Sequence, residues 1–446
     1  MLLEAFQIII LLLITYNFNK ILLRSIFNST DIINSAQKCL IFKFTGTFIY
    51  CFVYWFAYEG GDTINFYNMS KAFNECLRYN PEIYYHLFNI DNENFAFYSE
   101  SYEYVLKIQA WARNELSSYT VIKLAALLNI LSFNSFVGTS LLFAYLSFWG
   151  LILITKTLHN ISNLRESNFS IYVILLTPSL LFWCSGINKD SLIIFFTGLS
   201  AFSFMKITQQ RNFLNPWLLI IIASLYFIAI IKLYVLICII ITLLILLIIT
   251  LFSSFKKSFS LLILSPFIIL LISGFILVTV NTISNFGDRY DISKIEKQII
   301  GVQSYHKQLS NNESGYDLDL KNNPTLNDQI IASPKALITT LFKPFIWEVK
   351  SPLTISYALE NMILTSIFIL LLLSGHINKL WSAFRSNKTV QFCFIFTLIF
   401  SITVGLLSFN YGALARYRTP MLPFLVFGLI YTYNFIAFKN SYKASE

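Results

Sequence analysis

Long apolar stretches recur along this chain and are separated by short polar segments. About 20 apolar residues cross the hydrocarbon layer of a bilayer as a helix. About eleven stretches suit such spans, near 2–18, 39–57, 136–155, 169–185, 191–205, 215–231, 233–252, 259–281, 355–374, 389–409 and 420–437. A shorter one, 119–133, suits a re-entrant or interfacial helix. The pattern predicts an all-α, polytopic membrane bundle in which 1–446 form a single transmembrane domain.

The composition agrees with this prediction and excludes other classes of protein. Of the 446 residues, 56% are hydrophobic and 12% are charged, whereas soluble domains carry roughly 25% charged residues. The net charge of +9 does not indicate a nucleic-acid partner, since no basic cluster interleaved with aromatic residues occurs on a polar segment. The six Cys and four His lack the spacing of transition-metal ligands, so we expect no preassembled metal site.

Basic residues concentrate on one side of the predicted bundle. With the N-terminus placed outside, fifteen Lys and Arg fall in short inner segments, namely Lys20, Arg24, Lys38, Lys43, Lys156, Arg165, Lys206, Arg211, Lys256, Lys257, Lys379, Arg385, Lys388, Lys439 and Lys443. Four fall in short outer segments, namely Lys189, Lys232, Arg416 and Arg418. Because inner loops of membrane proteins carry the excess of Lys and Arg, this bias predicts an outer N-terminus and an inner C-terminus.

Two longer polar segments are expected on the outer side. The first, 58–118, is rich in aromatic residues and suits helices that lie in the headgroup layer. The second, 282–350, is larger, and its part 328–342 suits a helix that is interrupted near Pro334. A loop of this size over a membrane bundle is typical of a lid or a substrate platform.

Two carboxylates stand at the outer mouth of the second predicted span, next to a Gly-Gly step. They are Glu59 and Asp62, and ionisable groups at that depth indicate function by default. Either one suits a general base for an acceptor hydroxyl. The same carboxylates also suit binding of one hard divalent cation beside substrate phosphate, or a purely structural helix cap.

The four outer cations suit an anionic substrate. Arg416 and Arg418 resemble a bidentate phosphate site, because guanidinium groups stay charged and match phosphate geometry; interfacial anchoring is the alternative. Lys189 stands at a helix start that favours anions, and its neighbour Asp190 is either a supporting residue or a helix cap. Lys232 interrupts an apolar stretch, where snorkelling to the interface is the alternative to phosphate binding.

Four short motifs resemble a family of bacterial membrane proteins similar to O-antigen polymerases and the glycosyltransferase C superfamily. They are GGD at 60–62 with the following Tyr67, FWCSGINKD at 182–190, LFKPFIWE at 341–348 and ARYRTP at 415–420. The resemblance spans 55–425 and implies sugar transfer from a polyprenyl-linked donor on the outer face of the bacterial cytoplasmic (inner) membrane. Many glycosyltransferase C members have paired acids after the first span, whereas here the acids follow the second span.

We therefore expect a repeat-unit (O-antigen-type) polymerase for cell-surface polysaccharide. In this hypothesis Asp62 or Glu59 is catalytic, Arg416, Arg418, Lys189 and Lys232 bind the phosphate of a polyprenyl-(pyro)phosphate-linked saccharide, and Asp190 and Tyr67 support them. A chain-length regulator or other polysaccharide-assembly proteins are possible partners. The alternatives are a single-sugar transferase of the glycosyltransferase C type, a flippase for lipid-linked sugars, which would show an internal repeat and charges along a membrane path, and a non-catalytic scaffold.

The predicted orientation has a direct test. A periplasmic-type reporter inserted after Asn65, or within 310–327, should be active only if that position lies outside the cytoplasm, because the charge bias places both positions there. A cytoplasmic-type reporter at the same positions is the control. Activity of the cytoplasmic reporter at both positions would contradict the orientation and every outer-face role above.

Overall fold

The computed structural model describes residues 2–58, 60–79, 115–210, 215–254, 301, 315–320, 324–349 and 352–443. Its α-helices in chain order are α1 (Leu2–Ile26), α2 (Thr30–Phe52), α3 (Asp62–Tyr79), α4 (Leu116–Leu131), α5 (Phe136–Ser162), α6 (Asn168–Leu175), α7 (Pro178–Trp183), α8 (Lys189–Gln210), α9 (Pro216–Ser254), α10 (Leu326–Phe342), α11 (Pro352–Ser386), α12 (Lys388–Leu407), α13 (Tyr411–Tyr417) and α14 (Leu422–Lys443). Among these residues the only β pairing is an isolated bridge between Gly315 and Asn410. The all-α prediction is confirmed.

Several helices have the length and apolar composition of membrane spans. In the described part of the chain there are eight, namely Glu4–Ile26, Thr30–Ala57, Phe136–Ser162, Lys189–Gln210, Pro216–Thr250, Thr354–Leu373, Lys388–Leu407 and Tyr411–Ala437. The chain is therefore a multi-pass membrane protein by the composition of its helices. The predicted span 259–281 lies outside the described residues, as do most of the predicted outer segments, at 80–114, 282–300, 302–314 and 321–323.

The predicted span 169–185 is wrong as a single helix. The structure has two short helices there, α6 and α7, separated by two residues. Pro178 explains the break, because proline has no N–H for the preceding turn and disfavours helical geometry at the residue before it, Thr177. Neither piece is long enough to cross a bilayer.

The two predicted spans 215–231 and 233–252 are joined in one 39-residue helix, α9, with a break at one residue. Lys232 has φ −149° and ψ 82°, far from helical values. A continuous helix of this length would extend roughly 58 Å at 1.5 Å per residue, about twice the hydrocarbon thickness. The break at Lys232 therefore divides the helix into two segments.

The helix predicted at 328–342 is confirmed, but the interruption near Pro334 is wrong. α10 begins with a reciprocal cap in which the Asp328 carboxylate accepts from the Thr325 backbone N–H at 2.9 Å and the Thr325 side chain accepts from the Asp328 N–H at 3.3 Å. It then continues through Pro334. Because Pro334 has no N–H, the Ile330 carbonyl oxygen loses its helical hydrogen-bond donor. Pro334 and Ile330 are both exposed, so the proline ring and this carbonyl lie on the exposed face of the helix.

The contacts within the described chain divide it into two compact units. The first is formed by residues within 1–154 and 180–232, and the second by residues within 155–179, 233–254 and 301–443.

In the first unit, α5 and α8 approach closely at two glycines. A Cβ atom on Gly198 would lie 2.1 Å from the Gly150 carbonyl oxygen, and one on Gly150 would lie 2.3 Å from the Ile194 carbonyl oxygen. Small residues permit this backbone-to-backbone contact between membrane helices. Nearby, Leu153, Phe202 and Met205 form a buried cluster.

In the second unit, α12 packs against α10 and α14. Gly405 of α12 permits the approach of α10, since its Cβ would lie 2.5 Å from the Ala336 carbonyl oxygen. Leu371 of α11 and Leu429 and Ile436 of α14 form a buried cluster.

Lys43 is not a loop residue, which corrects the charge count. It lies within α2, is 1% exposed, and donates from Nζ to the Leu180 carbonyl oxygen at 2.7 Å. Lys232 likewise lies inside a helix rather than in an outer segment. Lys43 falls inside the predicted span 39–57, and Lys232 falls between two predicted spans that the structure joins in one helix, so neither belongs in a count of loop residues.

The glycine contact between α5 and α8 generates a stability prediction. Gly198→Ala should lower the free energy of unfolding of the chain, purified in detergent, by about 1–3 kcal/mol. The added methyl group would overlap backbone atoms, which cannot move away as a flexible side chain can. Gly428→Ala is the matched control, since its Cβ would meet only the Phe394 ring, at 3.1 Å or more. Equal stability of the two variants would contradict the close helix contact.

Candidate functional site

Asp62 lies where the second span ends and α3 begins. Helix α2 is extended by a π-helical turn, Val53–Ala57, and the chain then passes through Gly60 and Gly61 at φ +150° and +90°. Only glycine adopts these backbone angles without strain. Asp62 is the first residue of α3 and is exposed, so its carboxylate is accessible. Glu59 lies outside the described residues.

The π-helical turn aligns three tyrosines that lead toward this end. The Tyr58 N–H donates to the Val53 carbonyl oxygen at 3.0 Å, five residues back, which makes the turn wider than an α-helical one. The wider turn keeps residues four apart near one face. Tyr50 and Tyr54 have ring centroids 4.5 Å apart, and Tyr54 and Tyr58 have centroids 5.2 Å apart. Single π turns inside helices occur frequently at functional sites.

A buried hydrogen-bonded chain joins the Asp62 end to the 182–190 motif. The Tyr50 hydroxyl is 2.6 Å from Thr63 Oγ1, and it accepts from Asn188 Nδ2 at 3.1 Å. A Cβ on Gly186 would lie 1.9 Å from the Tyr50 ring, so the absence of a side chain at Gly186 leaves room for that ring. Two of the four motifs, more than a hundred residues apart in sequence, therefore meet in the first unit.

Asn188, rather than Asp190, caps helix α8. Its Oδ1 accepts from the Ser191 N–H at 2.8 Å, and its Nδ2 donates to the Trp183 carbonyl oxygen at 2.7 Å. The capping alternative for Asp190 is therefore wrong, and the Asp190 carboxylate serves a different purpose.

Asp190 forms a buried ion pair with Lys232. Lys232 Nζ is 2.5 Å from Asp190 Oδ1, and both side chains are shielded from solvent. Lys232, the residue at which α9 is broken, is also the residue that supplies the positive charge of the pair. Lys232 therefore does not snorkel to the interface, and in this conformation Asp190 occupies the anion position that we had predicted for phosphate.

Lys189 is paired with a residue that the sequence analysis did not single out. Its Nζ lies 2.6 Å from Glu115 Oε1 and 3.0 Å from Ser117 Oγ. Both charged side chains remain partly exposed. The Lys189 side chain is thus more accessible than the Lys232 side chain.

Tyr67, the predicted supporting residue, holds the turn between α4 and α5. Its hydroxyl donates to the Asn134 carbonyl oxygen at 2.5 Å. Burial, and secondarily the charge of Glu4, raise the pKa of the Tyr67 hydroxyl above its ordinary value. A phenol that stays protonated and already donates to a backbone oxygen stabilises the fold near Asp62 rather than transferring protons.

Arg418, in the second unit, is completely enclosed by protein groups. Its guanidinium donates to the Glu360 carboxylate and to the Asn361 side-chain oxygen, and its carbon atom lies 4.1 Å from the centroid of the Tyr357 ring. These three residues are spaced i, i+3 and i+4 on α11, so they share one helix face. In the described conformation Arg418 positions α11 against the 415–420 motif.

Arg416 has a different environment from Arg418. It lies in the last turn of α13 and is half-buried, and its carbonyl oxygen accepts from Thr419 Oγ1 at 2.9 Å. Of the two predicted phosphate-binding arginines, only Arg416 is partly exposed.

Glu360 is the most important residue that the sequence analysis missed. Its carboxylate accepts from the Ser179 backbone N–H at 2.6 Å and from Ser179 Oγ at 3.0 Å, besides pairing with Arg418. A signal was present, because Glu360 is an acidic residue inside the predicted span 355–374, and an ionisable group there indicates a specific partner. For Tyr50, one aromatic residue among many, we find no such signal.

No group of three or more His, Cys, Asp or Glu in the described part of the chain is placed to hold a metal ion. Since Glu59 lies outside that part, the predicted alternative of a cation held by Glu59 and Asp62 stays a prediction. Comparison of the chain with protein families, with curated proteins and with solved structures finds no match in any of the three.

The buried pair of the first unit generates a quantitative prediction. Asp190→Asn should destabilise the chain in detergent by roughly 3–5 kcal/mol, because Lys232 would keep a buried charge without a carboxylate. The control is Asp319→Asn, whose partner Lys335 is 48% exposed; an exposed pair contributes about 0–1 kcal/mol.

A double variant separates charge from shape. Asp190→Leu combined with Lys232→Met removes both charges and should recover most of the lost stability, as for other buried pairs replaced by apolar residues. If Asp190→Asn costs no more than Asp319→Asn, the pair is not the buried constraint described here.

Proposed function

We propose that this chain is a membrane glycosyltransferase that builds cell-surface polysaccharide from polyprenyl-linked sugar donors on the outer face of a bacterial cytoplasmic membrane. The observation that carries the proposal is the Thr63–Tyr50–Asn188 chain of hydrogen bonds. It holds an exposed carboxylate, Asp62, and a partly exposed cation, Lys189, at the ends of two segments of one unit. A transferase needs both kinds of group, whereas a scaffold needs neither.

Asp62 is assigned the role of general base. It removes the proton of an acceptor hydroxyl, the oxygen then bonds to the anomeric carbon of the donor sugar, and the polyprenyl (pyro)phosphate leaves with the electron pair of the broken bond. A positioned base typically contributes 10²–10⁴-fold to such a step. Its accessibility at the start of α3 supports this role.

Cationic groups are assigned to the negative charge that develops on the leaving phosphate. Preorganised charge stabilisation is usually the largest catalytic contribution when the leaving group is a good one. Lys189 and Arg416 are the candidates, because both are partly exposed. Lys232 and Arg418 are assigned positioning roles, since each is buried against a carboxylate.

Transfer of whole repeat units remains our preferred reaction, with addition of single sugars as the alternative. The resemblance of the motifs to O-antigen polymerases supports the first, and a polymerase would work beside a chain-length regulator. Both reactions use the same donor chemistry, and they differ in the size of the product.

A flippase for lipid-linked sugars is the second candidate, and one observation favours it. α9 is interrupted by a buried, charged residue, Lys232, and discontinuous helices with buried charges form the substrate sites of many transporters. The apolar pattern predicts charges at the outer level only, so a buried charge inside a helix adds weight to the alternative.

The base assignment has a decisive test. Asp62→Asn should reduce polysaccharide synthesis by roughly 10²–10⁴-fold, because the amide cannot accept the hydroxyl proton. Glu75→Gln is the matched control, since Glu75 is an exposed acid on the same helix. The measurement is polymer yield and length in a strain lacking the chain's own copy, at equal membrane levels of each variant.

The same strains separate the two candidate functions. A transferase blocked at Asp62 should leave unused lipid-linked saccharide on the outer leaflet, whereas a blocked flippase should leave it on the inner leaflet. Near-normal polymer from the Asp62→Asn strain would contradict the base role, and Glu59→Gln would then be the variant to measure.

A further inference from the structure

The 343–348 turn of the second unit presents an exposed aromatic pair. The rings of Phe345 and Trp347 are stacked, with centroids 4.9 Å apart and planes at 17°. Trp347 is 76% exposed. The indole of Trp347 therefore stacks on Phe345 through one face and remains largely exposed to its surroundings.

The turn is held rigid by its own polar groups. Lys343 Nζ lies 2.7 Å from Glu348 Oε1, the Phe345 N–H donates to Glu348 Oε2 at 2.9 Å, and the Glu348 N–H donates to the Phe345 carbonyl oxygen at 2.9 Å. Asn361, which also binds Arg418, donates to the Lys343 carbonyl oxygen. The position of the indole is therefore set before any ligand binds, which lowers the entropic cost of binding.

A second stacked pair in the same unit has the surroundings that are typical of a membrane anchor. Trp381 and Phe384, near the end of α11, have centroids 5.4 Å apart at 18°, and Trp381 is 56% exposed. The surrounding sequence, 378–390, contains Lys379, Arg385 and Lys388 and no acidic residue. Tryptophan with cations alone is typical of anchoring among lipid headgroups.

The Trp347 turn has a different chemistry at its rim. Lys343 and Glu348 are both partly exposed, at 33% and 25% of their side chains. Lys343 Nζ lies 5.8 Å from the centroid of the Phe345 ring on which Trp347 is stacked, so a donor and an acceptor of opposite charge belong to the same turn as the open indole. An anchor gains nothing from a carboxylate in the same turn, because anionic headgroups repel a carboxylate. A ligand with one apolar face and many hydroxyl groups can contact the indole, the ammonium group and the carboxylate together.

We propose that Trp347, Lys343 and Glu348 form a saccharide-binding subsite. The C–H face of a pyranose ring lies on the indole, sugar hydroxyls donate to the Glu348 carboxylate, and the Lys343 ammonium donates to sugar oxygens. The choice of a saccharide over another flat ligand rests on the proposed function. The subsite binds a sugar unit of the substrate and does no chemistry.

Binding is measured on the full chain purified in detergent, by saturation-transfer NMR. The probe is the set of oligosaccharides released by mild acid from the surface polysaccharide of the strain that carries the chain. Trp347→Ala should weaken their binding by about tenfold, as for aromatic residues that a bound partner covers at the centre of an interface. Trp347→Phe keeps a ring and should lose less, and Trp381→Ala is the matched control that should bind as the parent chain does.

Three results would overturn the subsite. They are absence of binding to the parent chain, unchanged binding by Trp347→Ala, and equal losses in Trp347→Ala and Trp381→Ala, which would make both residues anchors. The Asp62→Asn chain keeps the proposals distinct. If it still makes polymer while binding depends on Trp347, the base assignment fails and the subsite stands; if it makes none while Trp347→Ala binds normally, the reverse holds.

Discussion

The cost of enclosing a charge in an apolar bundle is the constraint on which this structure depends. Three cationic side chains of the described chain are buried, Lys43, Lys232 and Arg418. Each has a defined partner, which is a backbone carbonyl oxygen for Lys43 and a carboxylate for the other two. Because an uncompensated buried charge is strongly destabilising, each contact fixes the relative place of two segments within its own unit.

The partners also explain local distortions of the helices. The φ and ψ angles of a regular helix are fixed, and they fix the direction in which each side chain leaves the backbone. A buried lysine can therefore reach a carboxylate in another direction if the helix is broken at the lysine itself. Lys232 does this in α9, where Asp190 is already held at the start of α8 by the Asn188 cap. The distortion of α9 and the ion pair thus occur at the same residue.

Apolar stretches were sufficient to predict most of the helices, because a bilayer requires long apolar helices whatever their partners. The sequence failed where a single residue decides the geometry. Pro178 divides one predicted span, Pro334 is accommodated on an exposed helix face, and Lys43, counted among the inner-segment cations, is buried inside α2 against a backbone carbonyl oxygen. Partners such as Tyr50 and Glu360 follow from contacts between distant segments, which periodicity does not encode.

The predicted phosphate-binding arginines illustrate the limit of reading chemistry from residue type. A guanidinium suits a phosphate because it is planar, permanently charged and rich in donors, and the same properties suit a buried carboxylate. Arg418 uses them on Glu360, Asn361 and the face of Tyr357. The protein therefore accounts for why an arginine stands at 418, whereas a phosphate would have to displace Glu360 from a site without solvent. The same motif carries a second arginine two residues earlier, Arg416, which is partly exposed and to which we assign the proposed anion-binding role.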